Sequence, residues 1–177
     1  MGTISKKIDK VKLFSGFIFK NSSILDKVIS ILIKKYGPID LQSQIFEFTQ
    51  TNYYKKEMGS NLKKTFVSFK KLIPREKIAN VKIFTNKIED KLSRNGNRQI
   101  NIDPGYVSLP NVTLATTKDY QHRIYIGKGI YLENTLRFRK GIYDDWEWTY
   151  PDFQTKEYKM YFLEVLELYK KQLRKIQ

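Results

Sequence analysis

The order of strand-like and helix-like patterns constrains the fold of this chain more than any other feature of its sequence. Apolar runs and alternating apolar residues predict strands, whereas apolar residues that recur about every 3.6 positions predict helices. Between residues 11 and 103 these patterns follow the order βαββαβ, which is typical of a ferredoxin-like arrangement of four antiparallel strands under two helices. The predicted elements are strands at residues 11–20, 43–49, 63–73 and 98–103, a helix that Ser22 or Ser23 caps and that ends at Tyr36, and a helix at residues 78–92.

Proline sets two of the predicted boundaries. Pro74 is expected to end the third strand and to open the second helix, because proline suits the first helical turn. Alternating apolar residues at 78–84 leave a strand as the alternative for that helix. Pro104-Gly105 is expected to end the fourth strand.

Beyond residue 103 the patterns predict further strands and one long helix. The predicted elements are strands at residues 111–117, 122–127 and 130–139, a loop with Trp146 and Trp148, and a helix at about 153–175. The predicted fold class is therefore α+β, with a ferredoxin-like βαββαβ core, additional antiparallel strands and a C-terminal helix. The 177 residues are predicted to form one domain, divided into the core at 11–103, the extra strands at 104–148 and the last helix region at 149–177.

Composition excludes several kinds of chemistry. The chain has no cysteine, which excludes disulfides, thiolate metal sites and a cysteine nucleophile. His122 is the only histidine, which excludes zinc sites built from several imidazoles and phosphodiesterases with paired histidines. The apolar stretch at residues 13–19 is too short for a signal peptide or a membrane span, and we expect a cytoplasmic protein without a membrane partner.

The net charge of +15 comes mostly from lysine, which supplies 26 of the 33 basic residues. A solvated lysine surface accounts for such a charge without any binding site. Arginine is distributed differently, because five of the seven arginines lie between residues 94 and 139. Planar guanidinium groups suit carboxylate and phosphate recognition better than lysine does. The arginine-rich segment therefore favours a phosphorylated ligand.

Only three acidic residues lie within the basic stretch 92–143. Asp103 is predicted either to accept backbone hydrogen bonds in a turn or to bind a metal. Glu133 lies in mid-strand, where it is predicted to be exposed, to pair with an arginine across the sheet, or to bind a ligand or metal. Asp119 is predicted to be a structural turn residue.

His122 is a candidate for proton transfer near neutral pH beside the guanidinium of Arg123, although a lone histidine more often has a structural role. Consecutive residues of a regular strand point to opposite faces. His122 and Arg123 should therefore not share one site if both lie in regular strand, and Arg123 should share its face with Tyr125.

Phosphate-binding motifs of known geometry are absent from the sequence, which contains neither GxxxxGK[ST] nor GxGxxG. The string FVSF at residues 66–69 matches only the end of the aromatic signature of RNA-recognition domains, because the required glycine is missing. We expect Phe66 and Phe69 to pack in the core instead.

A set of longer strings carries a family resemblance. The strings are GPID (37–40), TNYYKKEMG (51–59), TNKIE (85–89), RQINIDPGY (98–106), LATTKDYQHRIYIGKGIYLENTL (114–136) and WTYPDF (148–153). Together they resemble a prokaryotic family catalogued as a domain of unknown function, number forty-four sixteen, over the chain from about Val11 to Phe153. Similar proteins are sometimes labelled GTP-binding. The strings contain no phosphate loop, and Asp119 directly follows Lys118, so the guanine-reading [NT]KxD pattern is not met, but a nucleotide ligand stays an expectation.

The resembling strings contain most of the candidate site residues and are consistent with a cleft at one end of the sheet. YYKKEMG (53–59) and WTYPD (148–152) would form its walls. The candidate catalytic residues are Glu57, Asp103, His122 and Glu133, and Asp103 and Glu133 are also the candidate ligands of a magnesium ion. The candidate ligand-binding residues are Tyr54, Arg98, Lys118, Arg123, Arg137, Trp148 and Asp152, and aromatic rings such as Tyr54 and Trp148 would stack on a base.

Three functions fit these patterns. The first is a protein that binds a nucleotide or another phosphate ester, including the case of a divalent-metal-dependent enzyme. The second is an RNA-binding accessory module that uses a basic sheet face with Lys63, Lys64, Lys70 and Lys71. The third is a structural interaction protein.

Overall fold

The computed structural model describes residues 10–51 and 53–175. Within them the chain forms four α-helices, which are α1 (Ser22–Tyr36), α2 (Lys55–Met58), α3 (Ile78–Leu92) and α4 (Lys156–Arg174). The strands are β1 (Lys10–Phe19), β2 (Ile39–Gln42), β3 (Phe46–Glu47), β4 (Lys63–Phe69), β5 (Ile73–Pro74), β6 (Ile100–Val107), β7 (Asn111–Thr116), β8 (Ile124–Tyr125), β9 (Tyr131–Arg139) and β10 (Ile142–Asp145).

The described strands form one antiparallel sheet, with the neighbour order β10-β9-β7-β6-β1-β4-β2. Three short strands lie off this path, because β3 pairs with β4, β5 with β1 and β8 with β9. The α+β class, the additional antiparallel strands and the C-terminal helix are thus confirmed.

Helices cover both faces of the sheet around β1. The odd-numbered residues Val11, Leu13 and Phe17 pack with buried residues of α1 and α3. The alternate residue Phe14 packs on the opposite face with α4, where its ring lies 4.9 Å from that of Phe162. Because side chains alternate along a strand, the continuous apolar run of β1 supplies both cores. Burying each of these aromatic side chains contributes roughly 2–3 kcal/mol.

Helix α4, the last element of the chain, packs against β1, the first. The buried Lys12 forms an ion pair with Asp40 and donates a hydrogen bond of 2.8 Å to Gln172 of α4. The hydroxyl of Tyr169, also in α4, donates to the carbonyl of Lys10 over 2.8 Å. The last helix is therefore attached to the first strand.

Local patterns predicted the three long helices α1, α3 and α4. The helix at 78–92 is confirmed against the strand alternative, and Phe66 and Phe69 are fully buried as expected. The cap of α1 differs from the prediction, because the side chain of Asn21 accepts from the backbone N–H of Ser23. None of the helices in the described residues combines the length and the hydrophobicity that crossing a membrane requires.

Several strand boundaries differ from the predictions. The predicted strand at 63–73 divides into β4 and β5, and of the strand at 43–49 only β3 forms. The predicted strand at 122–127 is reduced to β8, while β2, α2 and β10 were not predicted. Residues in short edge strands make few cross-strand contacts, so burial does not impose a clear alternation of apolar and polar residues on them. Such strands are therefore hard to predict from the sequence.

The fourth predicted strand does not end at Pro104-Gly105, because β6 continues through both residues to Val107. Ile102 directs its N–H and its carbonyl away from β1, toward Glu89 and Lys82. Backbone orientation alternates along a strand, so the nitrogen of Pro104 also points away from β1. No neighbouring strand needs a hydrogen bond from it on that side, and proline is therefore tolerated there.

Strands β6 and β7 diverge at this proline. They pair over three positions, from Gly105 with Leu114 to Val107 with Val112. A Cβ atom on Gly105 would lie 2.3 Å from the carbonyl oxygen of Thr113, so glycine permits the close approach at the point of divergence. Among the described residues no pair joins positions 100–104 of β6 to β7. On the N-terminal side of Gly105, strands β6 and β7 therefore separate and leave a gap in the sheet.

Candidate functional site

A cleft of about 790 Å³ lies at this gap and is the candidate site. Its lining comes from the strands β1, β4, β6, β7 and β9, from α3, from Arg98, and from the segments at 48–51, 53–54, 116–123 and 148–153. We call it the central cleft. It brings together nine of the predicted site residues, which are Tyr54, Arg98, Asp103, Lys118, His122, Arg123, Glu133, Trp148 and Asp152.

The bottom of the central cleft is formed by residues 100–104 of β6, which have no described partner in β7. Glu89 accepts a short hydrogen bond from the N–H of Ile102, and Lys82 donates to the carbonyl of Ile102 over 2.8 Å. Both side chains are buried. Two helical side chains thus satisfy the backbone groups that a neighbouring strand would otherwise bind.

Glu89 is buried close to other charges. Desolvation raises its pKa to about 7, and the charge of Lys82 opposes that rise. The second oxygen of Glu89 lies 3.9 Å from Arg98. A carboxyl group with such a pKa exchanges its proton near neutral pH.

Asp103 faces the cleft from β6. Its Oδ2 accepts a hydrogen bond of 2.7 Å from Asn101, and its Oδ1 lies 3.7 Å from the ammonium of Lys82. The residue is in mid-strand, so the turn predicted at this position is wrong.

Glu133 is buried on β9 and forms an ion pair with Arg123. The Nη2 atom of Arg123 lies 2.8 Å from Glu133 Oε2. The Arg123 guanidinium also donates to the hydroxyl of Tyr150 over 2.7 Å and to the carbonyl of Lys118 over 3.0 Å. Glu133 thus pairs with an arginine as predicted, but Arg123 lies in the turn before β8 and not across the sheet on a neighbouring strand. Because its donors are used by the protein, Arg123 holds the turn and the wall of the cleft together.

His122 lies on the same side as Arg123, contrary to the expectation from a regular strand. Its Nε2 is 3.2 Å from the same Glu133 oxygen. Strand β8 begins only at Ile124, so His122 and Arg123 precede the alternating segment. Both can therefore meet one carboxylate.

Asp152 is buried in an ion pair with Lys64. The Lys64 ammonium also lies 4.7–5.5 Å from the ring centres of four aromatic residues, which are Phe48, Phe66, Phe153 and Tyr158. Such contacts stabilise a desolvated cation. Lys64 is consequently not part of an exposed basic sheet face.

Glu57 is not among the lining residues of the central cleft; it lines a neighbouring hollow of about 600 Å³. Its two oxygens accept hydrogen bonds of 2.8 and 2.7 Å from Nε and Nη2 of Arg98. These bonds are the main cause of its lowered pKa. Glu57 therefore holds Arg98, which lines both cavities.

Exposed aromatic rings surround the opening of the central cleft. Tyr53, Tyr120 and Tyr150 are exposed, and the ring of Trp148 stacks on His122 at 5.1 Å and 12°. Lys118 donates to the Tyr53 hydroxyl over 2.8 Å. No carboxylate of the described residues lies within salt-bridge distance of Lys118.

Arg137 lies outside the central cleft. Its guanidinium lies 4.4 Å from the ring centre of Trp146, which stacks in turn on Trp148 at 5.1 Å. Arg137 thus supports the aromatic wall from behind.

The predicted magnesium site is not formed by side chains alone. Within residues 10–51 and 53–175 no group of three or more acidic or histidine side chains could hold a metal ion. The carboxylate of Glu133 is bound by Arg123, and Asp103 lies beside the cation Lys82.

Lys82 and Glu89 were missed by the sequence patterns. Both belong to α3, whose apolar stripe predicts only core packing. Lys82, Asn86 and Glu89 recur at a spacing of four and three, and all three line the central cleft. That polar stripe beside the apolar one is the signal that could have identified them.

A family model described as Domain of unknown function (DUF4416) matches residues 9–169 of the chain. No curated protein and no solved structure matches the chain.

Proposed function

We propose that the chain, which belongs to the DUF4416 family, binds a nucleotide, or another phosphate ester with a planar ring, in the central cleft. The observation that carries the proposal is the grouping of exposed aromatic rings with Lys118 around one cavity. Aromatic side chains stack on bases of any sequence, and an ammonium without an acidic partner attracts phosphate.

The size of the cleft supports this assignment. A volume of about 790 Å³ lies in the range typical of sites for small organic ligands, roughly 300–1,000 Å³. Tyr120, at the exposed end of the ring stack, would contact the base, and Lys118 and Arg98 would contact the phosphates. Trp148 stacks on both His122 and Trp146 and would hold these rings in place. Arg98 keeps its planar donor group oriented through Glu57.

In this proposal a divalent ion enters with the phosphates of the ligand. Magnesium commonly binds through substrate phosphates and only one or two carboxylates. Glu133 is unsuited to this role because Arg123 occupies its carboxylate.

We also infer that residues 10–107 are a ferredoxin-like core. The neighbour order β6-β1-β4-β2 and the placement of α1 and α3 on one face support this assignment. The central cleft would then lie where the additional strands leave that core.

The experiment is calorimetric titration of the protein with ATP, GTP, CTP and UTP, with and without magnesium. We expect Lys118→Gln and Tyr120→Leu each to weaken binding about tenfold or more, because each removes a direct contact. Lys34→Gln is the matched control, since Lys34 is an exposed lysine of α1 away from the cleft. Absence of nucleotide binding, or binding that neither cleft variant weakens, would refute the proposal.

A single-stranded RNA titration at two salt concentrations distinguishes the RNA-binding alternative. RNA binding with a steep salt dependence, weakened by neutralising Lys63, Lys70 and Lys71 together, would favour that alternative. Lys64 is omitted from the variant because it is buried beside Asp152.

A further inference from the structure

We infer, resting on the proposed function, that Asp103 is the ribose-binding residue of the central cleft and that the ligand is a ribonucleotide. Its carboxylate would accept hydrogen bonds from the two neighbouring hydroxyl groups of the sugar. The chemistry recognised is thus a vicinal diol on a phosphorylated compound, with a ribonucleotide as its source.

Accessibility separates Asp103 from the other carboxyls in the interior of the cleft. Its side chain is 30% exposed, against 7% for Glu89, 2% for Glu133 and 7% for Asp152. Of these four groups, Asp103 is therefore the one that a ligand can reach.

Hydrogen-bonding capacity leads to the same residue. Glu133 and Asp152 are held by direct ion pairs with Arg123 and Lys64. The Asp103 carboxylate accepts one bond from Asn101, and its nearest cation is Lys82 at 3.7 Å. An ionised carboxylate accepts about four hydrogen bonds, so Asp103 retains acceptor positions for hydroxyl groups.

Two tyrosines supply the remaining features of a sugar site. Tyr54 and Tyr150 line the central cleft together with Asp103. Burial is the main cause of the raised pKa values of both tyrosines, and the charge of Asp103 adds to both. The Tyr150 hydroxyl accepts a bond from Arg123, which leaves its proton free to donate. A donor beside an acceptor, with aromatic rings adjacent, matches the hydroxyl groups and the apolar face of a sugar.

The position of Lys82 favours a diol over a metal ion. Its ammonium is buried 3.7 Å from Asp103 and would repel a divalent cation bound at that carboxylate. A neutral diol meets no such repulsion.

The test compares each ribonucleoside triphosphate with its dideoxy counterpart, which lacks both ribose hydroxyls, by calorimetry. We expect the unmodified protein to bind the ribonucleotide about ten- to a hundredfold more tightly, because the dideoxy compound leaves a carboxylate without its hydrogen bonds. Asp103→Asn should remove most of this preference while binding of the dideoxy compound stays nearly constant. Asp90→Asn is the matched control, because Asp90 is an exposed carboxylate lining the same cleft.

Each outcome has a distinct meaning. Equal affinity of the unmodified protein for the two compounds overturns the inference but leaves nucleotide binding intact, and this comparison needs no variant that must fold. If Asp103→Asn weakens binding of both compounds equally, and only when magnesium is present, the carboxylate contacts a phosphate-bound ion. That result also overturns the inference. Binding of ribose phosphate without binding of any nucleotide overturns both the ribonucleotide assignment and the proposed function, and identifies the cleft as a site for a sugar phosphate. If no compound binds, both the inference and the proposed function fail.

Discussion

Arg123 and Glu133 form an ion pair in which both side chains are only 2% exposed, with Nη2 and Oε2 separated by 2.8 Å. They join the turn before β8 to the middle of β9, and His122 contacts the same carboxylate. The wall of the central cleft thus depends on a charge pair that is removed from water.

Breaking this pair should destabilise the protein strongly. Glu133→Gln leaves the Arg123 guanidinium buried without a counter-charge, and we expect the free energy of unfolding to fall by about 3 kcal/mol. Urea denaturation followed by circular dichroism measures the change. Glu167→Gln is the control, because it breaks the exposed pair with Lys170 and should leave stability unchanged within error. Equal effects of the two substitutions would contradict the prediction.

Glu89 should make stability depend on pH. Its pKa is about 7 in the folded protein and near 4.5 in the unfolded chain, so the folded state binds the extra proton between these values. Stability should therefore decrease as pH rises from about 4.5 to 7, by on the order of 3 kcal/mol, and level off above. Urea unfolding at several pH values should show this slope, and Glu89→Gln should remove it. Persistence of the same slope in the variant would exclude Glu89 as its origin.

Gly105→Ala should be more harmful than Gly16→Ala. A Cβ at position 105 meets a backbone oxygen at 2.3 Å, whereas at position 16 the nearest atom is a ring carbon of Phe66 at 2.9 Å. A backbone carbonyl in a paired strand moves less easily than a side chain, so we expect a loss of at least about 2 kcal/mol for Gly105→Ala. Thermal unfolding of both variants provides the comparison, and a milder effect at position 105 would be inconsistent with the packing described.

Asn21→Ala should cost about 1 kcal/mol of stability because it removes the side-chain acceptor at the start of α1. Ser22→Ala, one position later, is the control and should have little effect. Denaturant midpoints of the two variants test which residue caps the helix. A larger loss for Ser22→Ala would restore the cap that the sequence suggested.

The three long helices α1, α3 and α4 were predictable from the sequence because their signals are local. The apolar spacing in residues 78–92 is complete within α3 and requires no knowledge of its neighbours. The passage of β6 through Pro104 was not predictable in this way. It depends on β7 leaving β6 at Gly105, a property of the sheet rather than of the residues themselves.

Part of the candidate site was also predictable, because acids are scarce around the arginines. That scarcity indicates Asp103 and Glu133, and His122 is a candidate as the only histidine of the sequence; all three line the central cleft. Arg137 was selected by the same nearness in sequence, but its position on β9 places it behind Trp146. Sequence distance alone cannot distinguish these cases.

The attachment of α4 to β1 has a consequence for the synthesis of the chain. The hydrogen bond from Tyr169 to Lys10 joins residues separated by 159 positions. On the ribosome, the side of the first strand that carries Phe14 lacks its cover until α4 has emerged. During that interval an apolar surface is exposed to solvent, and chaperones bind such surfaces. Completion of the fold is therefore a late event, and premature termination before α4 would yield an aggregation-prone product.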